Sequence, residues 1–213
     1  MDKLLVTGVD GLVGANLASI LVERCEVIGV AGQAAGPEGC RMLHCDPYCP
    51  RDLAAAVAAE TPRYIVHCGP LSRSNWDLAD MTPPDAEHEA ELAANLVAAG
   101  QRVGARSAVV LTDAVFAGPR LFHTEASPPQ AGNPLAEAAR TIEKTLIDCN
   151  TLLIRSHAYG WSPPGASASY AQRMWQQLSQ GETCEVDAER HATPVLASDL
   201  AGLVFLALQK KLT

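Results

Sequence analysis

The chain has 213 residues, 48% of them hydrophobic, and a formal net charge of -8, enough apolar material for one well-buried core and too short a chain for two. That acidic balance, with no basic run, argues against a nucleic-acid or anionic-membrane surface, because phosphate recognition depends on clustered Lys and Arg. The opening residues lack the basic segment and long apolar stretch of a signal peptide, and no apolar run approaches a membrane span, so a cytoplasmic protein is expected whose seven cysteines are reduced thiols.

Short runs rich in Val, Ile and Leu alternate along the chain with longer Ala-rich stretches. This is the pattern of parallel strands covered on both faces by helices, and it predicts a doubly wound α/β sheet of six or seven strands in a single domain. The strands are expected at Lys3 to Thr7, Glu26 to Val30, Arg41 to Cys45, Tyr64 to Cys68, Ala108 to Thr112 and Thr151 to Arg155. The helices are expected at Leu12 to Glu23, Arg51 to Glu60, Asp85 to Ala99, Leu135 to Cys149, Ser167 to Gln180 and Asp199 to Lys210. Thr82 before Pro83, Asn133 before Pro134 and Ser198 before Asp199 each place a capping side chain ahead of a first-turn residue. Loops rich in Gly, Pro and Ser are expected around Gly32 to Gly39, Gly118 to Gly132 and Ser162 to Gly165.

The first strand runs directly into Thr7-Gly8-Val9-Asp10-Gly11-Leu12-Val13-Gly14. In this context the first glycine makes a tight turn, the second lets backbone approach a pyrophosphate, and the third lets the helix pack on the strand. The phosphates then sit on the positive end of the helix opening near Leu12, so a dinucleotide is the expected ligand. At the end of the second strand an acid would grip a ribose and a base a 2′-phosphate. Val30-Ala31-Gly32-Gln33 supplies neither, which leaves NAD and NADP both open. Arg41 is within reach of a 2′-phosphate but also reads as an ordinary surface cation.

Other clusters have plainer readings. Cys40, His44, Cys45 and Cys49 crowd together, but their spacing fits no common zinc motif, and strand alternation sends His44 and Cys45 to opposite faces, so no metal is expected. Cys68 falls at a strand's carboxyl end facing the ligand crevice, yet an unpaired Cys most often packs inertly. His67, His157 and His191 could carry protons near neutral pH, and each also reads as a structural histidine. Trp76, Trp161 and Trp175 could line a ligand pocket or an interface, and core packing is the default expectation for each.

The glycine loop together with Cys45-Asp46, Ile65-Val66-His67-Cys68, Leu111-Thr112-Asp113-Ala114-Val115-Phe116, Leu153-Ile154-Arg155, Tyr159-Gly160 and the stretch His191 to Ala201 resembles the extended short-chain dehydrogenase/reductases, within them the dTDP-4-dehydrorhamnose reductase branch. The resemblance spans nearly the whole chain. It implies that Asp46 lies against the adenine and that His67, Cys68 and Gly69 line the cofactor. It also implies that Thr112 stands beside the nicotinamide with Asp113 following it, which makes Thr112 and Asp113 the candidate catalytic residues. The implied ligands are NAD or NADP and a nucleotide-sugar, and the implied assembly is a homodimer through Asp85 to Ala99 and Leu135 to Cys149, or a subunit of a larger complex.

The departure is in the acid/base pair. Aligning back from Glu143-Lys144 puts Leu135 at the family's Tyr and Ala139 at its Lys, and none of Tyr48, Tyr64, Tyr159 and Tyr170 is followed four residues on by Lys. Such a pair contributes about 10² to 10⁴ in rate, and Leu and Ala cannot replace it. The resemblance further implies a C-terminal shortening, with the substrate lobe reduced or absent. The leading expectation is therefore a nucleotide-binding, non-redox regulatory or scaffolding subunit. The alternative is an atypical enzyme, a sugar-nucleotide reductase or an isomerase, lyase or cyclase, using Thr112, Asp113 or a histidine. A third reading keeps only an interaction module with a vestigial glycine turn.

Overall fold

A computed structural model describes residues 1–32, 35–79, 82–116, 122–129, 132–186 and 192–212. The Val- and Leu-rich runs form β1 (Lys3–Thr7), β2 (Glu26–Ala31), β3 (Arg41–His44), β4 (Tyr64–His67), β5 (Arg106–Thr112), β6 (Thr151–Tyr159) and β7 (Pro194–Leu196). They make one sheet in the order β3-β2-β1-β4-β5-β6-β7 with every pairing parallel. The helices are α1 (Leu12–Leu21), α2 (Pro50–Glu60), α3 (Asn75–Leu78), α4 (Ala86–Arg102), α5 (Pro134–Leu146), α6 (Tyr170–Ser179) and α7 (Ala197–Gln209).

Because successive strand residues point to opposite faces, β1 splits its side chains between two cores. Leu4 and Val6 join Leu17, Leu21, Val204 and Phe205 under α1 and α7, while Leu5 joins Leu53, Val57 and Leu96 under α2 and α4. Farther along the second face, Val109 and Leu111 meet Ala93, Val97, Ile142 and Leu146 of α4 and α5. Each fully buried Leu or Val contributes roughly 1.5–3 kcal/mol, and both faces of the sheet are sealed in this way. The expected doubly wound architecture is the one observed. No helix among the described residues is long and apolar enough to cross a membrane, and all seven cysteines are free thiols.

The differences from the sequence-based elements have local causes. Strand β6 runs on to Tyr159 instead of stopping at Arg155, because β7 pairs with His157, Ala158 and Tyr159. Helix α4 is capped by Asp85, whose carboxylate accepts from the backbone N–H groups of Glu87 and His88 at 3.1 and 3.2 Å, and not by Thr82. Ser198 lies inside the first turn of α7, where Leu196 holds the cap position without a side-chain bond. Asn133 caps α5 as expected, accepting from Ala136 N at 2.9 Å. Helix α3 was not anticipated. Ser74 caps it, and Arg73 and Asp77 tie it to Ser167 O, Ala168 O and Tyr170 N. His191 and Gly118 lie outside the described residues.

Candidate functional site

The sheet order reverses between β1 and β4, and a crevice at such a point, outside the carboxyl ends of the strands, is where α/β sheets bind ligands. Its first wall is backbone. Gly8 has φ +73°, and a Cβ there would lie 1.9 Å from Cys68 O. A Cβ on Gly14 would lie 2.1 Å from Gly8 O. The turn closes with Gly11 N donating to Gly8 O at 3.0 Å. Gly11 then occupies the N-cap of α1 with no side-chain cap bond, so the first-turn amides of Leu12, Val13 and Gly14 point out of the helix end without an intrahelical acceptor. That is an anion cradle of the kind a diphosphate requires. The side chains of Leu12 and Val13 are buried beneath it, and Asp10 is exposed on the turn.

Behind the cradle, Thr7 Oγ1 and His67 Nδ1 share a hydrogen bond of 2.7 Å. Burial lowers the His67 pKa to about 4, so this ring is neutral. Cys68 contributes its carbonyl to the Gly8 turn, while burial pushes its thiol up to about 12, which makes it inert. Gly69 is pressed close, since a Cβ there would meet His67 Nε2 at 2.7 Å and Glu89 Oε2 at 3.0 Å. Asp46 is exposed, and its Oδ1 accepts from Tyr48 N at 3.0 Å.

Sequence reasoning missed two residues here. Glu89 is only 5% exposed and accepts from the Tyr48 hydroxyl at 2.5 Å. Burial raises both of their pKa values. The signal was present: Glu89 is an acid on the apolar stripe that continues through Leu92, Ala93 and Leu96. Arg41 pairs with Glu60 at 2.6 Å and with Glu26 at 3.1 Å, which is the ordinary surface reading.

The second wall is made of side chains at the ends of β5 and β6. Thr112 is fully buried, and its Oγ1 accepts from Ala114 N at 3.2 Å, capping the 3₁₀ turn Asp113–Val115. Asp113 Oδ2 meets His157 Nδ1 at 2.7 Å, and Asp113 Oδ1 accepts from Asn75 N at 3.0 Å. Trp76 sets its ring edge-on to His157, with centroids 4.7 Å apart, and Tyr170 lies 5.3 Å beyond Trp76. Leu135 is half-buried against the α4–α5 core, and Ala139 is fully buried against Val115, Ala136 and Phe116. The α5 face that the resemblance associates with a Tyr and a Lys is therefore packing surface.

Two tryptophans depart from expectation. Trp161 and Trp175 are 56% and 59% exposed and contact each other edge-on at 5.8 Å, because Trp161 follows the end of β6 and α6 buries none of its residues.

The family model described as RmlD substrate binding domain matches residues 2–213. No curated protein matches the sequence significantly. Among solved structures, a hypothetical dTDP-4-dehydrorhamnose reductase from Sulfolobus tokodaii superposes with a TM-score of 0.80 at 21% identity, covering 100% of this chain and 74% of that one. The Bordetella bronchiseptica enzyme WbmH, solved in complex with NAD+, gives 0.74 at 20% identity over 98% and 73% of the two chains. The UDP-glucose 4-epimerase of Thermotoga maritima, solved with UDP-glucose, gives 0.75 at 17% identity over 96% and 72%. At these identities the likeness establishes a common fold.

Proposed function

The chain belongs to the RmlD substrate binding domain family, within the extended short-chain dehydrogenase/reductases, and from that premise we propose that it binds NAD or NADP in the glycine cradle and handles a nucleotide-linked sugar in the adjoining crevice. The observation that carries this reading is the cradle itself. Neither Gly8 nor Gly14 has room for a side chain, and the amides at the start of α1 are left for an anion. When bound, a nicotinamide dinucleotide supplies hydride chemistry.

We further propose an atypical enzyme of this family, one that does not use a Tyr–Lys relay. A carboxylate–imidazole pair at the carboxyl ends of β5 and β6, half-buried Asp113 with buried His157 at 2.7 Å, is the arrangement a proton relay needs. A second reading, a non-redox regulatory or scaffolding subunit, is favoured by the packed Leu135 and Ala139. Both readings carry with them a cytoplasmic location, one dinucleotide-binding domain over these residues, and a homodimer through α4 and α5 or a place in a larger complex.

Thermal unfolding with NADH and NADPH tests the cradle. A dinucleotide at about 100 times its dissociation constant adds about 2.7 kcal/mol of stability. If neither form nor its oxidised counterpart raises Tm, the proposal fails. Turnover of dTDP-4-dehydrorhamnose with NADH or NADPH, and of UDP-glucose with NAD+, separates enzyme from subunit.

A further inference from the structure

We propose that His157, held by Asp113, is the proton carrier of this crevice, a role that rests on the enzyme reading above. Thr112 pairs with Ser156 across β5 and β6, so Asp113 and His157, each one residue farther toward the carboxyl ends, stand level with each other. Asp113 is fixed at both oxygens, by Asn75 N at 3.0 Å and by His157 Nδ1 at 2.7 Å. The ring is fixed on its other side by the edge of Trp76 and along the strand by the pairing of His157 with Pro194.

A carboxylate on Nδ1 selects the tautomer that carries its proton there and leaves the lone pair on Nε2. Nε2 makes no hydrogen bond to any described residue, and it is not among the buried polar atoms that lack a partner. It is therefore not fully enclosed, although the residue as a whole is only 4% exposed. Strand β5 is two steps across the sheet from β1, about 10 Å at the usual strand spacing, so the pair stands beside the cradle and clear of it.

The other candidates in the crevice lack that arrangement. His67 is held at Nδ1 by the uncharged Thr7 hydroxyl, the Tyr48 hydroxyl donates to Glu89, and the Thr112 hydroxyl accepts from Ala114. The Cys68 thiol is buried. Among these side chains His157 is the one with an open proton site backed by a charged partner.

The fitting substrate is a nucleotide-linked sugar bearing a ketone or the corresponding secondary alcohol. In the reducing direction the protonated ring gives its Nε2 proton to the carbonyl oxygen while the carbonyl carbon receives a hydride from a reduced nicotinamide dinucleotide. The C=O π bond opens, and an O–H and a C–H bond form. In the oxidising direction Nε2 takes the hydroxyl proton as the C=O π bond re-forms, and the hydride is what an oxidised nicotinamide dinucleotide would accept if bound. Asp113 remains ionised throughout and is a positioning residue.

Ring-¹⁵N NMR of the full chain tests this without relying on turnover. The neutral ring is expected to carry its proton on Nδ1 with Nε2 bare, with the Nε2 signal moving when NADH and then dTDP-4-dehydrorhamnose are added, and with tautomers mixed in Asp113→Asn. In turnover, His157→Gln lowers kcat by roughly 10²- to 10⁴-fold while NADH still raises its Tm. Added imidazole restores part of the rate in His157→Ala. Asp113→Asn lowers kcat and leaves KM unchanged. An Nε2–H tautomer of the neutral ring in the wild-type protein, or turnover undiminished by His157→Gln, would each overturn the proton-carrier role and leave the enzyme reading standing. A wild-type protein that turns over neither dTDP-4-dehydrorhamnose nor UDP-glucose, or whose Tm no dinucleotide raises, would instead overturn the reading beneath it.

Discussion

Around β1 and β4 the crevice is built of backbone, whereas around β5 and β6 it is built of side chains. In the first region the turn from Gly8 to Gly14 is fixed by contacts with the Cys68 and Gly8 carbonyls, where even a methyl group would overlap. In the second, Asp113, Asn75, Trp76 and His157 hold one another by hydrogen bonds and ring contacts, Thr112 caps the turn that carries Asp113, and Leu135 and Ala139 pack against apolar neighbours. A backbone site admits almost no substitution without loss, so it is either kept or destroyed. A side-chain site can be rebuilt one residue at a time on an unchanged frame, which is how chemistry varies on a common fold.

The sharpest way to break the comparison is at Gly8. Alanine there faces both a positive φ of +73° and an overlap with a backbone carbonyl that cannot rotate away. The expected cost for Gly8→Ala is on the order of 3 kcal/mol or more, with dinucleotide binding lost in whatever folds. Chemical denaturation and NADH titration read the two effects. An Ala variant of wild-type stability would mean that the turn is looser than this geometry allows.

Next in size is a pH effect inside the backbone half. His67 titrates near its ordinary value of 6.5 when unfolded and at about 4 when folded, because burial disfavours the charged ring. Between those values the unfolded chain binds more protons than the native one, so stability rises with pH across the window and is lost as pH falls from 6.5 toward 4. The full difference is on the order of 3 kcal/mol. His67→Gln, which cannot titrate, should flatten this part of the stability profile measured by denaturant unfolding. A profile equally steep in the variant would assign the acid lability to another group.

The same contrast explains what the sequence made legible. Three glycines after an apolar strand announce a backbone site, because glycine spacing is itself the geometry. The parallel sheet was legible in its Val- and Leu-rich runs for a similar reason: strands buried on both faces need no partner to reveal them. The Asp113–His157 pair was not legible, since it depends on β6 reaching Tyr159, and that extension comes from pairing with β7, more than thirty residues later. Nor does local sequence place Trp76 against His157, because α3 is held by contacts from Arg73 and Asp77 to the segment entering α6. Glu89 could have been found from its place on an apolar helical stripe, although its partner Tyr48 lies 41 residues away.

The smallest expected effect tests whether one substitution can give the side-chain half the Tyr that the family resemblance implies at position 135. Leu135 is half-buried in the first turn of α5, with solvent on one side, so Leu135→Tyr adds volume where part of it can stay wet and should change stability by less than about 1 kcal/mol. It should also leave turnover of dTDP-4-dehydrorhamnose unchanged. A phenol at this position needs a neighbouring ammonium to lower its pKa, and Ala139, fully buried against Val115 and Phe116, leaves no room for one without opening that cluster. A large gain in rate from Leu135→Tyr would show that a phenol at this position can serve without a neighbouring Lys, and would weaken the case that His157 carries the proton.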